Sequence, residues 1–281
     1  MANVIKLRKG LDINLKGKAN FETIRRIDSS EIALVPDSFG GVTPKVIVRE
    51  GDCVKAGDAL FVDKKYPEMK FASPISGIVK AVVRGDRRKV LYVKVKADET
   101  QQFVDFGIKD IEKLDGRAIK EALLASGLFS FIQQLPYAVT TTPDTMPKAI
   151  FVSAFRDMPL ASDFEMELKG NEKDFQTGLT ALSKIQKTYL GLSVHQTASA
   201  LVNAKDVEIN VFDGKCPAGN VGVQVNHIDP INKGEVVWTI DPAAVIFFGR
   251  LFNIGKVDLR RVIAVAGSEV KTPSYAEILI G

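Results

Sequence analysis

The chain has 281 residues, 46% of them apolar and 26% charged, with a formal net charge of +4. That length holds about two domains, each able to bury a core, and the composition is that of a soluble globular protein. So small a charge leaves no electrostatic footprint for nucleic acid. Only Cys53 and Cys216 are present, far apart and without a Cys-x-x-Cys. This excludes a cysteine-ligated iron–sulfur cluster within the chain and argues against a zinc site and a disulfide framework, so a reducing compartment fits. The first residues lack the apolar core of a signal peptide. The longest apolar run near the end, 243–248, is far too short to span a bilayer, so membrane association must go through a partner.

In chain order, residues 1–41 read as extended pieces and turns, with Ile32–Val35 a candidate strand, packed on the unit that follows. From Val42 to Val95 short β-branched strands alternate with Gly-Asp turns. Gly51-Asp52 and Gly57-Asp58 bracket Val54, and Ser73-Pro74-Ile75-Ser76-Gly77 leads into Ile78-Val79. Glycine accepts positive φ, and aspartate bonds its own turn backbone. The pattern is that of a small all-β unit. It resembles the barrel-sandwich hybrid of biotinyl and lipoyl carrier domains. Glu68-Met69-Lys70-Phe71 looks like the carrier hairpin that holds a modified lysine. Lys70 is then either a swinging-arm attachment point or a solvated lysine on a retained scaffold. Pro67, Tyr66 and Phe71 beside it favour the second reading. The basic run 84–89 reads as a solvated hairpin turn or as a contact to an acidic partner or lipid headgroup.

After the polar connection 96–102 the period changes. Asp115 is placed to cap a helix over 117–126 that Gly127 stops. Residues 135–147 read as a long Pro-rich connection. From Ala149 the chain alternates: a strand at 149–154, a helix over 174–185 with Phe175, Leu179, Leu182 and Ile185 on one face, strands at 189–194 and 207–212, a turn and helix from Cys216, a strand at 236–240 and a helix over 243–252. This alternation predicts a mostly parallel sheet covered by helices. Residues 261–280 read as two strands around Gly267 and Pro273, which pair with the preceding domain or begin something longer.

Two loops stand out as a candidate site. Pro217-Ala-Gly219-Asn-Val-Gly222 opens a helix after a strand, where free N–H groups can hold an anion or a ligand carbonyl; close helix–sheet packing explains the glycines as well. Phe155-Arg156-Asp157 follows the strand at 149–154, and ligands of open α/β sheets gather beyond the carboxyl ends of strands. His227 and Asp229 lack a third metal ligand, and His195 beside Ser193 is no triad. Trp238 and Val245–Phe248 read as core, or as an apolar ligand-facing surface.

The order of pieces resembles the A (alpha) subunit family of the bacterial Na+-translocating NADH:quinone oxidoreductase, and more distantly the C subunit of the Rnf complex. The pieces are Lys9-Gly-Leu-Asp12, the Gly-Asp turns, Phe71–Val79, Arg84–Arg88, Pro159–Asp163, Pro217–Gly222, Val237–Ile240, Gly249–Phe252 and Val265–Pro273. The resemblance implies a barrel-sandwich hybrid at 1–104, a Rossmann-like α/β domain at 105–257 related to the flavin domain of respiratory complex I, and at 258–281 the first hairpin of a truncated β-grasp domain. It implies a peripheral subunit on the cytoplasmic side of the bacterial inner membrane, in a complex coupling electron transfer from NADH to quinone with Na+ export. Its partners are the other subunits, membrane subunits included, and ubiquinone or menaquinone, which would meet Phe155, Arg156, Asp157, Pro217, Gly219 and Gly222 or, as the alternative, Trp238 and residues 245–248; nucleic acid is not one. NADH, FAD, FMN, iron–sulfur centres and quinone serve the complex through other subunits. In the flavin-binding relatives a Gly-rich loop holds the phosphate. Here the matching segment 125–136 keeps Gly127 but carries Phe129, Phe131 and Ile132, so no bound cofactor is expected. The alternatives are a biotin or lipoyl carrier using Lys70 and an FMN-binding oxidoreductase subunit.

Overall fold

The computed structural model describes residues 3–280. Strands β1 (Asn3–Lys6) and β2 (Asn20–Arg26) come first. The barrel follows as β3 (Glu31–Leu34), β4 (Pro44–Val46), β5 (Cys53–Val54), β6 (Ala59–Asp63), β7 (Lys70–Ala72), β8 (Gly77–Arg84) and β9 (Val90–Ala97). These make two facing sheets, ordered β3-β9-β8-β5 and β4-β6-β7. The Gly-Asp turns work as their chemistry requires. Gly51 and Gly57 take φ of 92° and 101°, while the Asp52 and Asp58 carboxylates accept the N–H groups of Arg49 and Lys55. Leu60, Phe61, Phe71, Ile75, Val79, Val93 and Val95 fill the space between the sheets.

The second module runs α1 (Gly116–Ser126), β10 (Ile132–Leu135), β11 (Val139–Thr140), β12 (Ile150–Ser153), α2 (Phe164–Leu168), α3 (Glu172–Ile185), β13 (Thr188–Ser193), α4 (Ser199–Val202), β14 (Glu208–Asp213), α5 (Val221–Ile228), β15 (Val237–Ile240) and α6 (Pro242–Ile254). Asp115 caps α1 through the Ala118 N–H, and Gly127 closes it at φ 79°. The sheet order is β1-β14-β13-β12-β15-β10-β11, parallel except at β10 and β11. Two expectations need correcting here. The segment 135–147 is not all connection, because β10 and β11 form a hairpin that extends the sheet. The opening segment does not pack only on the barrel. β1 pairs in parallel with β14, Val4 opposite Val211, and so belongs to the α/β sheet.

Helices α3 and α6 cross closely over one sheet face. A Cβ on Gly178 of α3 would lie 2.0 Å from the Val245 carbonyl oxygen, and one on Gly249 of α6 would lie 1.7 Å from that of Asp174. Finally β16 (Arg260–Val265) and β17 (Ser274–Leu279) form the expected hairpin. Its third strand is β2, from the other end of the chain, parallel to β17. That pairing relieves the marginal stability of a two-stranded hairpin. No helix among the described residues is long and apolar enough to cross a membrane.

Candidate functional site

The chain runs from β12 to β13 to β14 in one direction across the sheet, then returns to place β15 on the other side of β12. The carboxyl ends of β12 and β15 therefore flank the crevice where open α/β sheets bind ligands. Phe155, Arg156 and Asp157 leave β12 there, and Asp241 leaves β15 as the cap of α6.

Ions fill this crevice. Arg156 donates through Nη2 to Asp241 at 3.0 Å, and through Nη1 to Glu167 at 2.8 Å and Ser162 at 2.9 Å. Its guanidinium also lies over the Phe164 ring. Glu167 is only 1% exposed and takes a second cation, Arg261 of β16, at 3.1 Å. A buried carboxylate needs such partners, and here it has two. Glu167, Asp241 and Arg261 escaped the sequence reading. Asp241-Pro242 carries a legible cap signal, but nothing local marks Glu167 as buried.

The structure brings the two predicted loops together. Asp157 accepts the Gly219 N–H at 2.6 Å, and Ser153 Oγ donates to the Gly219 carbonyl at 3.0 Å. A Cβ on Gly219 would sit 2.4 Å from the Phe155 carbonyl oxygen, which explains the glycine by close packing. The N–H groups expected to hold an anion are partly spoken for. Asn220 caps α5, its side-chain oxygen accepting from Gly222 at 2.9 Å and Val223 at 3.3 Å. Pro217 is exposed at the start of this turn. Cys216 lies beside it; burial first, then the charges of Asp157 and Asp12, push its thiol up, so it is no thiolate nucleophile at neutral pH. Around the loops the rim is apolar: Leu11 is 74% exposed, Met158 62% and Leu160 57%.

The turn after α1 is a second place to test for chemistry. Phe129 is 1% exposed and meets Trp238 edge-to-face at 5.6 Å. Phe131 packs against Phe247 at 5.7 Å, and Ile132 is fully buried. Gly127 presses on the barrel, where a Cβ would lie 3.0 Å from the Ala72 methyl. Bulky buried side chains, Phe129 and Ile132 among them, therefore fill this turn. Beside them lies an apolar notch of about 30 Å³, lined by Leu34, Phe39, Phe131 and Ile280 among others. That holds a water or two, not a cofactor.

Lys70 opens β7 opposite Val62, beyond the hairpin tip at 64–68. The tip is tied down: the Tyr66 hydroxyl donates to Asp144 of the α/β module at 2.7 Å. His227 Nδ1 lies 2.8 Å from the Val223 carbonyl in its own helix. Among the described residues no three His, Cys, Asp or Glu side chains gather as a ligand set.

The fold is thus a barrel-sandwich hybrid ahead of an α/β domain whose crevice is closed by an ion cluster. Two family models match in that order: the NqrA N-terminal barrel-sandwich hybrid domain over residues 5–98 and the NqrA second alpha/beta domain over residues 114–257. The chain belongs to the NqrA family. Among its relatives are proteins named as the A (alpha) subunit of Na(+)-translocating NADH-quinone reductase. Those of Neisseria meningitidis serogroup A, strain Z2491, and Actinobacillus succinogenes are 34% identical to it, and that of Yersinia pestis 33%. Each alignment covers 99% of this chain but 63% of the relative, so the chain spans under two thirds of their length.

Proposed function

We propose that this chain serves as a peripheral subunit of a membrane-bound complex that couples electron transfer from NADH to quinone with Na+ export. The observation that carries the reading is the match of both modules, in order and over nearly the whole chain, to relatives named as the A (alpha) subunit of such a reductase. In this reading the chain lies on the cytoplasmic side of the inner membrane and docks on the other subunits, membrane subunits among them. Its α/β module is of Rossmann-like descent, related to the complex I flavin domain, and β16 and β17 open a β-grasp unit.

The chain holds no redox cofactor of its own in this proposal. Two features support that: the turn at 127–132 buries Phe129 and Ile132 where a phosphate would lie, and Arg156 bridges the crevice to Asp241. Quinone contact falls at Phe155–Asp157 and Pro217–Gly222. The exposed rim side chains Met158 and Leu160 supply the apolar surface for a ring and its tail. The Gly219 carbonyl and the Asp157 carboxylate are already bonded, so recognition there rests on shape and apolar contact.

The test is to express the full-length protein in a strain whose own A (alpha) subunit has been deleted, then to measure Na+-stimulated NADH:quinone reduction in membranes. Restored activity supports the reading, and membranes that stay inactive although the protein is present overturn it. An absorbance spectrum of the purified chain checks the cofactor statement. A flavin band that survives gel filtration sinks it.

A further inference from the structure

Between β1 and β2, residues 7–19 form a strap with no regular structure. It crosses the carboxyl end of the α/β sheet. Its first half is fastened: Leu7 donates its N–H to the Asp213 carbonyl and Leu11 to that of Cys216, both at 2.9 Å, and Asp12 accepts the Cys216 N–H at 3.1 Å. Gly10 lets the strap lie flat, since a Cβ there would come 2.7 Å from the Cys216 carbonyl oxygen. Beyond Asp12 the fastening stops. Residues 13–19 neither donate nor accept a backbone hydrogen bond among the described residues.

That free half carries an apolar stripe. Ile13 is 62% exposed and Leu15 51%, and they continue the alternation begun at Leu11. In extended backbone such i, i+2, i+4 residues share a face. Met158 lies beside the residue that anchors the strap, its Sδ 3.9 Å from Cys216 Sγ. Cations flank the stripe along the chain: Lys6, Arg8, Lys9, Lys16 and Lys18 are all exposed, and none forms an ion pair among the described residues. The one carboxylate of the strap itself, Asp12, is already bonded to the Cys216 N–H. Contiguous apolar surface rimmed by charge marks an interaction site.

Two kinds of surface answer that chemistry, an anionic membrane or an acidic protein segment, and the backbone separates them. Burying Ile13 and Leu15 also takes the unpaired N–H and C=O groups of 13–19 out of water. The hydrocarbon of a bilayer, where the apolar side chains would have to go, offers those groups no partner, and each left unsatisfied is costly. An extended peptide supplies them by strand addition. We infer that the strap at Leu11–Lys18 is a docking edge for an extended segment of another polypeptide, one that sets apolar side chains against Leu11, Ile13 and Leu15 and carboxylates against the flanking lysines. The inference rests on the reading of this chain as a subunit, and it assigns the surface that joins it to a partner.

The experiment places a photo-crosslinking amino acid at Ile13, or separately at Leu15, in the full-length chain, and irradiates the purified complex. The expected product is a crosslink to one other subunit, mapped by mass spectrometry to a peptide rich in Asp or Glu and in apolar residues. A parallel Ile13→Asp, Leu15→Asp variant is expected to lose at least tenfold in the amount of chain recovered with the complex. Because both positions are exposed, its circular dichroism spectrum should match that of the parent. Crosslinks to lipid alone, or flotation of the parent chain with phosphatidylglycerol vesicles abolished by the double variant, overturn the inference in favour of a membrane contact. A chain that stays in the complex without any crosslink at either position overturns the inference and leaves the subunit reading standing. A parent chain that joins no complex overturns both.

Discussion

Arg156 and Asp241 meet at 3.0 Å across the crevice between the carboxyl ends of β12 and β15, where an open α/β sheet would hold a ligand. The pair is one edge of a cluster whose centre is Glu167, with a side chain 2% exposed between Arg156 and Arg261. Arg156→Ala leaves Glu167 with one cation and a void beside Phe164. The expected loss is about 2–3 kcal/mol of unfolding free energy, because a buried carboxylate keeps its desolvation cost when a charged partner goes. Asp241→Ala should cost less, about 1 kcal/mol, since Asp241 is half-exposed and loses mainly its cap to Ala243. Urea denaturation of the two variants decides: equal losses would mean that the cluster does not centre on Glu167.

Gly178 and Gly249 face each other's helices across the α3–α6 contact. On a free helix, glycine to alanine gains up to about 1 kcal/mol from propensity. Here each added methyl would land within 2.0 Å of a backbone oxygen on the opposing helix. Overpacking then outweighs propensity, and Gly249→Ala is expected to destabilise by at least about 2 kcal/mol. A Gly249→Ala variant with a raised urea midpoint would show that the helices separate freely.

Local chemistry made much of this fold legible. Asp115 and Gly127 announced both ends of α1, and the turns at Gly51 and Gly57 announced the barrel. The α/β alternation gave the sheet, because its strands are buried apolar runs between amphipathic helices. What escaped depends on partners far away in sequence. β1 is short, β2 is rich in charged residues, and only β14 and β17 show where they go. β10 and β11 lay hidden in a stretch rich in Pro and Thr, where propensity points to loop. At the candidate site the two loops were visible from position and glycine content. Their meeting through Asp157 and Gly219 was not, nor was the capping of α5 by Asn220, which takes up the Gly222 and Val223 N–H groups.

Arg250 of α6 ties the β16–β17–β2 sheet to the α/β module by donating to the Asp258 and Arg260 carbonyls at 3.1 Å and 2.7 Å, and the Asp258 carboxylate beside it accepts from Arg260 at 2.6 Å. Burial alone would raise its carboxyl, but the hydrogen bonds and charges of Arg260 and the charge of Arg250 outweigh that and hold it below the usual carboxylate range. A carboxyl lowered on folding contributes stability that is fully present above its unfolded value of about 3.9 and is lost as pH falls through the lower folded value. Stability should therefore decline with acid below about pH 4. Asp258→Asn should be less stable than the parent at neutral pH, and the gap should close at low pH. A gap that stays constant from pH 7 to pH 3 would rule out this linkage.

Tyr66 and Asp144 argue against a carrier role for the barrel. A swinging arm needs its hairpin free to travel between active sites, whereas this tip is bonded at 2.7 Å to a loop of the next module. Asp144 is well suited to hold it: its carboxyl, bonded first to the Thr142 hydroxyl and then to Tyr66, lies below its ordinary range and stays ionised. Lys70 sits past the tip, at the start of β7 rather than at the turn where a modified lysine is presented. The chain purified from its own host should therefore have the mass of the unmodified sequence, and Lys70→Ala should leave the reductase activity of the complex unchanged. Tyr66→Phe should increase amide exchange at 64–69 and at 142–145 together, because the two loops share one bond. A lipoyl or biotinyl mass increment on Lys70 would defeat this argument outright, and exchange that rises in the barrel loop alone would show that the latch does not couple the modules.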